Sequence, residues 1–130
     1  MAYGVKLIGI SEVPGVTLAN NTGTPLVAAD IGKPVTINSH TGQDAILCSD
    51  GDHIIGILGG IELDANFVTV LDGGYHEVNC SVDGDAPDPD GATPYVIANA
   101  TGGVKKHTAA STAVVLSMNV TTGKAIIKIL

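Results

Sequence analysis

Residues 113–130 read AVVLSMNVTTGKAIIKIL, a stretch with the pattern of two β-strands joined by a tight turn. Apolar side chains fall on alternate positions before the turn, and they alternate again after it. Thr121 and Thr122 precede Gly123, which can supply the positive φ that a hairpin turn needs. The sequence therefore predicts a C-terminal hairpin. The alternating apolar residues are Val114, Leu116, Met118 and Val120 before the turn, and Ala125, Ile127 and Ile129 after it.

The same hairpin carries apolar residues on the opposite parity as well, at Val115, Ile126 and Leu130. Apolar side chains on both faces of a strand indicate that both faces are covered. We therefore expect part of the hairpin to be covered on each side. A neighbouring subunit is one such cover.

Short apolar pieces alternate with Gly, Pro, Asn and Asp turns from residue 29 onward, and no window has the apolar stripe of a helix. At 130 residues the chain has the size of one domain. The pattern predicts an all-β domain that closes as a small β-barrel or sandwich with a C-terminal β-hairpin. The predicted strands are Pro34–Asn38, Ala45–Ser49, Ile54–Leu58, Phe67–Leu71, Tyr75–Val82, Tyr95–Ala98, Ala113–Val120 and Ala125–Leu130.

Residues 1–28 precede this regular region and leave two alternatives open. They alternate short apolar pieces with turn formers such as Val13-Pro14-Gly15, which is typical of an extended N-terminal arm or of two ordinary first strands. We therefore divide the chain into an arm or first strands at 1–28 and a β-rich body at 29–130.

The composition limits the classes of partner. The net charge is −7 and all six basic residues are lysines, so a nucleic-acid partner is not expected. The absence of arginine also argues against phosphate and acidic-substrate chemistry. No apolar run approaches the roughly 20 residues of a membrane span, and the N-terminus lacks the pattern of a signal peptide. We expect synthesis in the cytoplasm and no membrane partner.

Two clusters resemble chemical sites. Four carboxylates in a Pro- and Gly-rich loop, Asp83, Asp85, Asp88 and Asp90, offer the oxygen ligands that Ca²⁺ prefers, but Val96 stands where an EF-hand requires Glu. A solvated turn is the favoured interpretation.

The cysteines and histidines offer a candidate catalytic pair, in which Cys48 or Cys80 is the thiol nucleophile and His53 or His76 is the base. Because both cysteines share strand parity with apolar residues, we interpret them as core residues.

The remaining polar groups do not form a recognisable motif. The histidines, at 40, 53, 76 and 107, are too dispersed to place two zinc ligands on one strand. The basic cluster Lys105-Lys106-His107 is interpreted as the end of a strand. We therefore predict no catalytic, cofactor-binding or metal-binding residues and no cofactor, and we expect the protein not to be an enzyme.

Two segments carry a resemblance to a known family. Residues 29–35 read ADIGKPV, and residues 49–58 read SDGDHIIGIL; a later segment, Gly74–Val78, and a closing Gly-turn hairpin follow. Together they resemble the head-decoration, or cement, proteins of tailed phages, and the resemblance covers about residues 29 to 130. The long N-terminal segment and the Asp-Pro loop at 83–91 depart from the commoner pattern.

The resemblance implies a structural role on the virion. Proteins of that kind bind the major capsid protein on the outer surface of the mature head, usually as homotrimers, and clamp neighbouring capsomers. The alternative is an adhesive or carbohydrate-binding β module of a phage or bacterial surface structure. Carbohydrate-binding surfaces usually need exposed aromatic side chains that stack on the sugar rings. This chain offers only Tyr3, Phe67, Tyr75 and Tyr95.

Overall fold

A computed structural model describes residues 15–38, 42–91 and 94–130 of the chain. Within these ranges the protein is nearly all β, as the sequence predicts, with one 3₁₀ turn at Ala28–Asp30. The described residues contain no helix of the length and apolarity needed to cross a membrane. The strands are β1 (Gly15–Asn20), β2 (Pro34–Ile37), β3 (Asp44–Leu47), β4 (Gly56–Ile61), β5 (Phe67–Leu71), β6 (Gly74–Asn79), β7 (Tyr95–Ala98), β8 (Val104–Lys106), β9 (Ala113–Asn119) and β10 (Lys124–Ile129).

The first half of the chain forms a closed barrel with the strand order β1-β3-β2-β4-β5. Its neighbouring strands are antiparallel except β1 and β3, which are parallel. Gly56 is required where β4 passes β5, because a Cβ there would lie 2.5 Å from Val70 Cγ1. The side chains that fill the barrel are small and branched, as expected of a chain with few aromatics. They are Leu26, Val35, Ala45, Leu58, Val68 and Val70.

The second half forms a five-stranded antiparallel sheet with the order β6-β10-β9-β7-β8. The predicted C-terminal hairpin is present as β9 and β10, and Gly123 has a φ of +68° in its turn. One face of the sheet is buried in a second core, to which Ile54 and Ile57 also contribute from the barrel half.

The loop between β3 and β4 joins the barrel to the second sheet. The amide of Gly51 donates to the carbonyl of Ala98 at 2.9 Å, and the amide of Ala98 donates to the carbonyl of Asp52 at 3.1 Å. Asp50 forms an ion pair with Lys105 on β8 at 3.0 Å. The acidic Asp-Gly-Asp turn therefore has a structural role, because it binds the edge of the second sheet.

Residues 15–20 form a strand, which is one of the two alternatives that the sequence leaves open for the N-terminal segment. β1 pairs with β5 over five positions and closes the barrel, and Leu26 after it is 3% exposed in the barrel core. Residues 1–14 lie outside the described residues, and so does any arm there.

The sequence prediction was wrong about one face of the hairpin. Between Val115 and Ser117 the register with β10 shifts by one residue, so Leu116 is an extra residue in β9. Such a bulge reverses the alternation beyond it. Val115 and Met118 consequently both pack towards the core, although the predicted parity placed Met118 with Leu116. The short strand β8 was also absent from the predicted strands.

Candidate functional site

The second sheet has one face in the core, and the other face is largely exposed on β6, β10 and β9, whereas Ile97 on β7 is buried there. Val78, Val115 and Ile127 point into the core, and the side chains that alternate with them point away from it. We call this solvent-facing side the outer face. Its side chains include Tyr75, Glu77, Asn79, Val114, Leu116, Ser117, Asn119, Lys124, Ile126 and Lys128.

The outer face is arranged in rows across the strands. Tyr75 lies opposite Lys128, Lys128 lies opposite Val114, and Val114 lies opposite Tyr95 on β7. Tyr75 is 60% exposed, and Lys128 Nζ lies 5.7 Å from the centroid of its ring. That distance is within the range of a cation–π contact. The face therefore combines apolar side chains with polar ones and with the charges of Glu77, Lys124 and Lys128.

The bulge in β9 enlarges the apolar part of the outer face. Leu116 is 47% exposed, while Val114 and Ile126 are half-buried by their neighbours on the sheet. The sequence predicts that part of the hairpin is covered on each side, with a neighbouring subunit as one such cover. In the single chain Val114 and Ile126 are half-buried and Leu116 is exposed, and a cover by a neighbouring subunit stays a prediction.

A groove of about 680 Å³ runs beside the barrel between the segment after β1 and the loop after β3. Its carboxylates have structural partners. Asp30 accepts hydrogen bonds from the amide of Val27 at 3.0 Å and from Lys33 Nζ at 3.2 Å. Asp52 accepts one from the amide of Ser49 at 2.8 Å. These contacts fix the turns around the groove.

Both cysteines are free thiols with core contacts, which confirms their interpretation as core residues. Cys80 is buried in the second core, and Cys48 packs against it from the barrel half. Burial, together with the negative charge of Asp52, raises the pKa of Cys48 from 9.0 to about 12. Burial also raises the pKa of Cys80. Both groups are therefore protonated at neutral pH, and a protonated thiol is a poor nucleophile.

The structure describes three of the four histidines, which differ in the contacts they make. His76 Nε2 lies 2.7 Å from the carbonyl oxygen of Gly73, as expected of a hydrogen-bonded histidine. His53 and His107 meet edge to face with ring centroids 5.9 Å apart. The sequence could not reveal this contact, because it depends on the docking of the β3–β4 loop on the second sheet. His40 lies outside the described residues.

The Asp83–Asp90 loop is exposed and organised by its own turns. The amide of Asp85 donates to Asp83 Oδ1 at 3.0 Å, and the amide of Lys106 donates to the carbonyl of Asp85 at 2.8 Å. Among the residues that the structure describes, no group of three or more His, Cys, Asp or Glu side chains converges as metal ligands would. The solvated turn stays a prediction.

The chain matches no protein-family model, no curated protein and no solved structure.

Proposed function

We propose that this chain is a structural decoration protein of a tailed-phage head. It binds the major capsid protein on the outer surface of the mature shell as a homotrimer, and it stabilises that shell without catalysis. The proposal begins with the resemblance of residues 29–35 and 49–58 to cement proteins.

One structural relationship supports using these segments together. Although 13 residues separate the two segments, they are hydrogen-bonded to each other: the amide of Gly32 donates to the carbonyl of Leu58 at 2.8 Å, and the amide of Leu58 donates to the carbonyl of Lys33 at 3.0 Å. Pro34 then pairs with Ile57 across β2 and β4. The two resembling segments therefore lie side by side in the fold.

The surface chemistry agrees with a role in assembly. Cys48 and Cys80 pack in the second core and Asp83 accepts a backbone hydrogen bond, whereas the outer face presents Tyr75 and Leu116 to solvent. Exposed apolar sheet faces are typical of surfaces that pack against other proteins. Many weak contacts repeated over a capsid lattice add up to stable attachment.

Co-sedimentation with heads tests the proposal. The purified protein is mixed with mature heads that lack it, from the virus that encodes it, and the bound copies are counted against concentration. We expect saturation at a multiple of the three-fold sites and no further uptake by heads that already carry their full complement. Failure to bind both expanded and unexpanded shells would overturn the proposal.

A carbohydrate-binding module is the second candidate, and one observation favours it. Tyr75 and Tyr95 lie in the same cross-strand row of the second sheet, separated by β10 and β9. At about 4.8 Å per strand, the two positions are roughly 14 Å apart, and aromatic rings on a sheet face can stack on sugars. Binding on a glycan array that is lost in Tyr75→Ala would favour this candidate over the first.

A further inference from the structure

We propose that the open edge of β6, the side of this strand that faces away from β10, is the binding site of the chain's own N-terminal segment, residues 5–10. These residues lie outside the described part of the chain. The contact is made within one chain, so the proposal goes beyond the proposed function and does not depend on it.

Alternate residues of β6 direct their backbone groups to the open edge. β6 is the outermost strand of the second sheet and pairs with β10 without a register shift. Directly after this ladder the amide of Cys80 donates to the carbonyl of Gly123 at 2.9 Å. Only every second residue of an antiparallel strand bonds to a given neighbour. His76 and Val78, which share the parity of Cys80, therefore bond to β10, and the residues between them direct N–H and C=O groups away from it.

The open edge carries two such residues with free backbone groups, Tyr75 and Glu77. Apart from the ladder with β10, neither forms a backbone hydrogen bond with the described part of the chain. The opposite edge of the sheet is covered, because the amide of Lys106 on β8 donates to the carbonyl of Asp85 at 2.8 Å. The barrel is closed and has no edge. An uncovered edge strand is a template for the addition of another strand.

The N-terminal segment enters the barrel close to the start of β6. Gly15, the first residue of β1, lies opposite Leu71, the last residue of β5, and β6 begins three residues later at Gly74. Because β1 and β5 are antiparallel, the chain before Gly15 is directed past the end of β5. Fourteen residues precede Gly15. At about 3.3 Å per residue they reach up to about 46 Å, whereas β6 is about 20 Å long.

The composition of residues 5–10, VKLIGI, is that of a strand. Val5, Ile8 and Ile10 are β-branched, and such residues favour extended backbone. The segment is tethered next to β6, so it meets the open edge at a high effective concentration. A separate protein that offers an extended segment lacks this advantage, which favours the chain's own segment as the occupant.

The space beside β6 accommodates the side chains of an added strand. A cavity of about 280 Å³ lies between the C-terminal half of β6 and the 3₁₀ turn at Ala28–Asp30. Its apolar lining includes Ala29, Ile31 and Val78, and its charged lining includes Lys33, Glu77 and Lys124. Ile31 is 49% exposed, so an apolar side chain of an added strand would cover surface that the described residues leave in water.

Amide hydrogen exchange of the full chain, resolved by residue with NMR, tests the proposal. The variant is Leu7→Pro/Ile8→Pro: of two adjacent residues, one directs its N–H group towards β6 in any register, and proline removes that donor. We expect the amides of Tyr75 and Glu77 to exchange at least about tenfold faster in this variant than in the parent protein. The amides of His76 and Val78 are the internal control, because they donate to β10 in both proteins.

Ala2→Pro/Tyr3→Pro is the matched control variant, since it places the same two prolines before residues 5–10. Its amides at Tyr75 and Glu77 should exchange as slowly as those of the parent protein. Deletion of residues 2–14 removes the whole segment and should accelerate exchange at these two amides as much as Leu7→Pro/Ile8→Pro does.

Fast exchange of Tyr75 and Glu77 in the parent protein, or equal rates in the parent and both altered segments, would overturn the proposal. Sedimentation equilibrium identifies whose segment is bound. Slow exchange in a monomer supports the chain's own segment, whereas slow exchange that appears only as the mass rises with concentration assigns the segment of a neighbouring copy and overturns the assignment made here. Because no capsid is present, these results and those of co-sedimentation are judged separately.

Discussion

The carbonyl oxygen of Asp52 accepts a hydrogen bond from the amide of Ala98 at 3.1 Å, and through this contact the barrel half binds the second sheet. Thr112 adds a hydrogen bond from its hydroxyl to the carbonyl of Ile54 in the same loop. Ile54 is fully buried in the second core. The β3–β4 loop is therefore a docking segment, and its integrity should control whether the two halves unfold together.

Gly51→Val should weaken this docking segment. Gly51 has a φ of +88°, which is strained for a β-branched residue, and its amide donates to Ala98. We expect a loss of roughly 1–3 kcal/mol in the free energy of unfolding, measured by urea titration. Gly84→Val is the control, because Gly84 has a negative φ and open space around it. Equal losses in both variants would contradict the assigned role of the loop.

Gly56→Ala should destabilise the barrel by overpacking. A Cβ at this position would lie 2.5 Å from Val70 Cγ1 and 2.6 Å from the carbonyl oxygen of Leu71. Insertion of a methyl group into such a site costs about 1–3 kcal/mol. The control is Gly60→Ala on the same strand, because a Cβ at Gly60 would have no other atom within 4 Å. Thermal melting should show a lower Tm for Gly56→Ala alone.

Much of this architecture could be predicted from local pattern. The bounds of β5 and β7 agree with the predicted strands residue for residue, and the C-terminal hairpin has its turn at Gly123. These elements are specified by neighbouring residues, because turn formers and alternating apolar side chains lie within a few positions of one another.

The features that could not be predicted depend on distant parts of the chain. The parallel pairing of β1 with β3 leaves no signature in either strand, and the contact of His53 with His107 requires the loop to dock first. The bulge at Leu116 is a one-residue insertion that no residue in the stretch announces, yet it determines which side chains form the outer face.

Asn99→Ala should destabilise the fold, because it removes the side chain that accepts hydrogen bonds from the backbone of the β7–β8 turn. Asn99 is 6% exposed; its Oδ1 accepts from the amides of Gly103 at 2.8 Å and Thr101 at 2.9 Å. Alanine leaves the Gly103 amide buried without this partner, at a cost of roughly 1–3 kcal/mol in the free energy of unfolding. Asn119→Ala removes a similar turn contact, to the amide of Thr121, at an exposed site. Urea titration should show a clearly smaller loss for Asn119→Ala.

Cys48 should make the protein sensitive to high pH. Its folded-state pKa, about 12, is raised above the ordinary value of 9.0, so the folded state keeps a proton that the unfolded chain loses. The stabilising effect is therefore complete below pH 9 and is lost as the pH rises towards 12. We expect Cys48→Ala to lose less stability than the parent protein between pH 9 and 11 in urea titrations. An unchanged pH slope in this variant would contradict the assigned environment of the thiol.

Two N-terminal truncations test separately what residues 2–14 and strand β1 contribute. β1 begins at Gly15 and pairs with β5 from Gly15–Leu71 to Ala19–Phe67, so deletion of residues 2–20 removes a barrel strand and exposes the buried Val68 and Val70. That variant should unfold or aggregate. Deletion of residues 2–14 leaves in place every barrel pairing made among the described residues and should preserve the melting transition. If the N-terminal segment contributes to capsid attachment, the shorter deletion binds mature heads more weakly in co-sedimentation, whereas undiminished binding would assign attachment to the body alone.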